Sequence, residues 1–413
     1  MNKYVSLTSV GKCESKQKIL LIYLIIVMIF GMCLIMPIRS YCKAANTNEL
    51  YNSINQSVIS ELNEIDFSAI NDLVKDLDKN QTKLFSIDNI KAKVYSILSG
   101  ESAVEYNNFF GVFVSTIVEM VIKYLPLLSI VIAIGVVGNL LNGMKSKFNE
   151  KSTSNLIHLV CFLSTSIIII GIITNLTNSA GNSINNMVKQ MNGIFPVLLT
   201  LMVGLGTTTC VGVYQPAVAI LSTYVADFFS YFIVPLFMLS FVFGIISNLS
   251  TNIKLDKFNA FISSLFKWSV GLVFTLFFAV FSIQGITAGS FDSIGIRTTK
   301  YTIKSYVPIM GGYLSDGMDL IMSSTILIKN SIGLVGVLLI ISTIVSPIIE
   351  IAICSLMLKF VSAILQPLGN EKTSSFLGST SKSITMLSSS ILAVGFMYLI
   401  MTGLIMTSSN LVV

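Results

Sequence analysis

Charge is what this 413-residue chain has least of: 11% of its residues are Asp, Glu, Lys or Arg, against 53% hydrophobic. It holds one histidine and one tryptophan, and its six cysteines show no paired spacing of the kind that grips a metal or staples a small secreted domain. There is no glycine-rich phosphate loop followed by lysine, which excludes ATP hydrolysis by that route, and no nucleophile stands beside a plausible base. The one histidine, His158, begins an apolar run next to a basic segment, where an interfacial side chain belongs rather than a proton relay. These absences argue against an enzyme and point to no cofactor, no metal and no nucleic-acid partner.

What is present is long apolar runs. Mean hydropathy is +0.81, and several runs reach about 18 residues, the length a helix needs to cross a hydrocarbon core roughly 30 Å thick. A soluble helical core would keep charged outer faces on its helices, yet Val270–Ile286 has no charged side chain. The expected class is an all-α, polytopic helical membrane protein.

The N-terminus reads as an export signal over residues 1–44. Lys12, Lys16 and Lys18 precede the apolar run Ile19–Pro37, and "SYCKAAN" supplies small residues for cleavage after Ala44. The alternative is a retained first helix, since the run is long and Arg39 and Lys43 follow it. Either way, residues 45–110 form an exported acidic helical region. From Asn46 to Asn108 ten acids face five lysines, a net −5, so the rest of the chain carries about +11. Ile54, Val58, Leu62 and Ile65, then Ile70, Leu73, Val74 and Leu77, recur at helical spacing and give this region apolar faces.

Residues 111–413 form the expected membrane domain, with spans near Val118–Leu141, Leu156–Leu176, Pro216–Ile246, Val270–Thr287, Ile332–Leu356 and Ile384–Met406. Lys145, Lys147 and Lys151, then Lys254, Lys257 and Lys267, then Lys359, Lys372 and Lys382 mark three cytoplasmic segments. Passing from an outer loop at Asn178 to the inner one at Lys254 takes an odd number of crossings, but two apolar segments intervene, the extra one being Ile194–Val213. An internal comparison offers a solution. Pro196 and Pro235 in the first half, and Pro308 and Pro347 in the second, have the same spacing, suggesting repeats over 194–290 and 306–407, each opening with a segment that enters the membrane without crossing it. Pro196, Pro235, Pro308, Gly311, Gly312 and Pro347 are the candidate helix breaks, and in the second repeat Pro308, Gly311 and Gly312 are expected to break the backbone. The helix that follows then puts Leu314, Met318, Ile321, Thr325 and Ile328 on one face and Asp316, Asp319, Ser323 and Asn330 on the other.

Ionisable groups at membrane depth are costly and usually face a bundle interior or an aqueous path. Asp227 and Glu350 are therefore candidates to line a pathway or contact a partner, with Asp316 and Asp319. Glu119 and Lys123, one turn apart, can pair.

The stretches "GGYLSDGMDLIMSSTILIKNSIGLVGVLL", "SPIIEIAICSLMLKFVSAILQPLG" and "FPVLLTLMVGLG" ahead of "VYQPAV" resemble the sporulation stage III protein AE family of endospore-forming bacteria, from about residue 110 to the C-terminus. The resemblance implies a non-enzymatic component of a complex in the mother-cell membrane around the forespore. Its partners would be other stage III membrane proteins and, indirectly, a forespore membrane protein, with the acidic region in the intermembrane space. It also implies a requirement in forespore development after engulfment and a candidate conducting or export role. The alternative, from the sequence alone, is a secondary transporter of a small solute, built from two repeats with broken helices.

Overall fold

The computed structural model describes isolated residues between 58 and 71, then residues 89–99, 106–143, 151–249, 255–306, 310–368 and 370–408. The expected signal, Pro308 and most of the acidic exported region lie outside these. A short helix, α1 (Ile90–Leu98), begins at Asn89, whose side chain accepts the amides of Lys91 and Ala92 and closes the first turn. Six long helices follow: α2 (Tyr106–Gly143), α3 (Lys151–Gly204), α4 (Thr208–Leu249), α5 (Asp256–Tyr306), α6 (Gly311–Leu365) and α7 (Glu371–Ser408). Among the described residues, each of these contains a stretch long and apolar enough to cross a membrane. All six expected spans fall inside them. The chain is an all-α polytopic membrane protein.

The helices overrun a bilayer. At about 1.5 Å per residue, α3, α5 and α6 are each about 76–83 Å long, more than twice a hydrocarbon core. Neighbours in sequence run antiparallel, as their contacts show. Gly138 meets Cys161 across α2 and α3, Ser240 donates to Asn259 across α4 and α5, and Ser362 pairs with Ser374 across α6 and α7. The α2–α3, α4–α5 and α6–α7 connections therefore share one end of the bundle, and the α3–α4 and α5–α6 turns share the other. The chain thus forms three successive helical hairpins. The α6–α7 register is pinned by two serine pairs one heptad apart. Ser355 and Ser381, and Ser362 and Ser374, exchange hydroxyl-to-carbonyl bonds of 2.7–3.0 Å in both directions. Small polar side chains permit that close approach, and α6 becomes the most buried of the long helices.

This architecture corrects several expectations. The segment 194–213 is not a separate non-crossing element: it comprises the last turns of α3, a turn at 205–207 and the start of α4. The expected outer loop at Asn178 lies within α3. One ascending and one descending helix therefore join Lys151 to Lys254, and the parity problem disappears. The Asn- and Ser-rich stretch stays helical because Ile184, Met187 and Met191 are buried and its inward polar groups bond to α6. Pro196 and Pro347 were expected to break helices, but each lies inside a continuous one. Pro235 follows two π-helical stretches, Leu221–Val225 and Phe229–Ile233, within α4.

The chain does turn at Gly206 (φ 77°). There Gly206 N–H donates to the Val203 carbonyl and Thr207 N–H to that of Met202, a Schellman end for α3. It turns again before Gly311, where a Cβ would lie 2.6 Å from the Ile303 carbonyl oxygen, so α5 and α6 can meet there only at a glycine. Gly312 follows in the first turn of α6. Of the face shared by Leu314, Met318, Ile321, Thr325 and Ile328, Thr325 and Ile328 are buried, but Leu314 and Ile321 are exposed. The reason is that α6 enters dense packing only from Met322 onward.

Candidate functional site

The buried polar groups lie where helices join. Glu350, on α6 one turn after Pro347, is only 5% exposed. Its Oε1 accepts from Lys123 Nζ at 2.6 Å and from Tyr124 OH at 2.7 Å, both on α2, and its Oε2 accepts from Ser179 Oγ on α3 at 2.7 Å. Three donors from two other helices compensate the carboxylate for lost water. Lys123 thus reaches across the bundle to Glu350.

A second joint follows from proline chemistry. Pro347 has no N–H, so the carbonyl of Thr343, four residues earlier, loses its usual helical donor. Ser183 Oγ of α3 donates to that carbonyl at 3.0 Å. Gln190 Nε2 donates to Thr343 Oγ1 at 2.6 Å, and Thr343 Oγ1 to the Leu339 carbonyl at 3.0 Å. The proline stays within α6 because a neighbouring helix supplies the missing hydrogen bond.

Two further ions serve helix ends. Lys329 is fully buried, and its Nζ donates to the carbonyls of Met406 at 2.9 Å and Ile405 at 3.2 Å in the last turn of α7, where intrahelical donors run out. Asp292 of α5 accepts the Thr209 and Cys210 amides at 3.0 and 2.8 Å, capping α4 from another helix. Asp292 also borders a cavity of about 520 Å³ at the α3–α4 turn, lined by Leu205, Ile296, Thr299, Met318 and Met322 among others.

The sequence candidates are not gathered into one site. Asp319 forms an ion pair with Lys300 of α5, and Asp316 is exposed near the start of α6. Asp227 sits between the two π-helical stretches of α4, exposed, with no hydrogen bond or ion pair among the described residues. A carboxylate at the centre of a membrane helix costs about 2.5–3.5 kcal/mol on insertion scales, so Asp227 calls for a partner that the described residues do not supply. Lys329, Asp292, Tyr124 and Ser179 were not identified from sequence as parts of a site. Their partners lie 76 to 226 residues away, and no local pattern records such pairing.

Six long helices, joined internally by buried ions and serine pairs, define a polytopic α-helical membrane protein. The chain belongs to the stage III sporulation protein AE (spore_III_AE) family, whose model matches residues 89–409, from α1 through α7. It is 23% identical over 321 residues to stage III sporulation protein AE of Bacillus subtilis (strain 168), covering 78% of this chain and 80% of that protein. No solved structure matches. A role in sporulation follows from the family.

Proposed function

We propose that this chain is a non-enzymatic component of the membrane complex that links mother cell and forespore, required for forespore development after engulfment. The observation that carries the reading is a family match running through the whole helical bundle. Lysine placement supports the orientation. The helix ends at the α2–α3, α4–α5 and α6–α7 connections carry Lys151, Lys257 and Lys372, and this end is assigned to the mother-cell cytoplasm. The α3–α4 and α5–α6 turns, with the acidic region before α2, then face the intermembrane space. Asp316 is accessible there to other stage III membrane proteins, and through them the chain would be linked to a partner in the forespore membrane.

A finer role as conducting or export subunit belongs to the same reading. Glu350 is closed off by three donors and serves packing, so a conducting path would run along the exposed Asp227 face of α4 rather than through the centre of one chain. The test is deletion in the spore-forming host, with complementation and a fluorescent fusion. Arrest after engulfment, rescue by the intact gene and fluorescence at the membrane around the forespore are expected. Normal spore yield in the deletion strain would refute the proposal.

A further inference from the structure

Asp227 belongs to a stripe. Thr223, Tyr224, Asp227 and Tyr231 fall within about two turns on the outer side of α4, and all are exposed, Tyr224 to 69% and Tyr231 to 80%. Flanking π-helical stretches shift the helix phase on either side of the carboxylate. A face with a carboxylate and two phenols inside a candidate span is poorly suited to lipid tails, which offer no hydrogen bonds.

The same bundle carries a complementary cation at the same depth. Phe162 of α3 and Phe241 of α4 both pack against Phe376 of α7, at 5.3 and 6.3 Å between ring centroids, and so define one level. From that layer Asp227 lies about 21 Å along α4, and Ser179, the Glu350 partner, about 25 Å along α3. Lys123 bonds the same Glu350 carboxylate, which places it level with Asp227. Although bonded to Glu350, the Lys123 side chain is 48% exposed, and an ammonium has three donors. Around it, Ile122 and Leu125 form an exposed face of α2. Within one chain the two faces lie on different flanks, since α2 packs on α3 and α6 while α4 packs on α3, α5 and α7.

We propose that the Asp227 face of α4 docks a second copy of this chain, which presents the Lys123 face of its α2, so that Lys123 bridges Glu350 of its own copy and Asp227 of the neighbour. Because the two faces differ, the contact is heterologous, and repetition closes a ring if the rotation permits. The inference stands on the helix geometry and is independent of the sporulation role.

The test uses the purified full chain in lipid nanodiscs, with the six native cysteines replaced by alanine. One tagged copy carries Tyr224→Cys and a differently tagged copy carries Ile122→Cys, residues at closely matched depth. Oxidation is expected to give a disulfide-linked species bearing both tags, and neither variant alone should give one. Adding Asp227→Asn should lower the yield about three- to tenfold, the scale of a lost interhelical polar contact in lipid. Absence of the mixed species, linkage of Tyr224→Cys to itself, or a yield unaffected by Asp227→Asn would each overturn the proposal. The unmodified chain in nanodiscs supplies a second measurement that no substitution can compromise: a mass of two or more copies is expected, and a single copy at every concentration overturns the inference.

Discussion

Replacing Ser183 by alanine removes the side-chain hydrogen bond to the Thr343 carbonyl, a group left without its usual helical donor by Pro347. Ser183 and Thr343 are both buried, so water cannot readily substitute. An unsatisfied buried acceptor costs about 1–3 kcal/mol in soluble proteins, whereas interhelical bonds inside membranes average about 0.6 kcal/mol and reach about 1.7. The expected loss for Ser183→Ala is therefore about 1 kcal/mol. In a Pro347→Ala background the residue 347 amide returns and can donate to Thr343 itself, so the same serine change should cost under about 0.5 kcal/mol. The loss of proline ring packing is common to both arms of this double-mutant cycle and cancels. Reversible unfolding in mixed micelles, titrated with a denaturing detergent, measures all four stabilities. Equal costs of Ser183→Ala in both backgrounds would refute the idea that the serine replaces a proline-deleted bond.

Two other joints make separate predictions. Lys329→Met keeps length and apolar bulk but strips the ammonium from the Ile405 and Met406 carbonyls, so amide hydrogen exchange in the last turn of α7 should accelerate while that at the Ser355–Ser381 contact stays slow. Asp292→Ala opens the first-turn amides of α4 and should cost about 1–3 kcal/mol, with Asp292→Asn intermediate because its amide oxygen still accepts one bond; equal stability of all three forms would exclude capping across helices.

Hydropathy alone determined the class and the six spans, because crossing a bilayer is a requirement on local composition that each helix meets by itself. The residues that carry the family resemblance were likewise legible in the chain. Helix extent was not. Asn178 reads as a loop and Pro196 and Pro347 as breaks, because local propensity is weak in that stretch. Buried methionines and isoleucines on α3, and a serine on a neighbouring helix, override it. Glu350 was recognisable as an expensive buried charge, but its partners Lys123, Tyr124 and Ser179 were not, since they come from other helices, 171 to 227 residues away. Asp227 and Glu350 look alike in sequence, as single acids within apolar runs. Only the tertiary structure separates them, because burial against three donors satisfies one carboxylate within the chain, and exposure on the flank of α4 leaves the other directed outward.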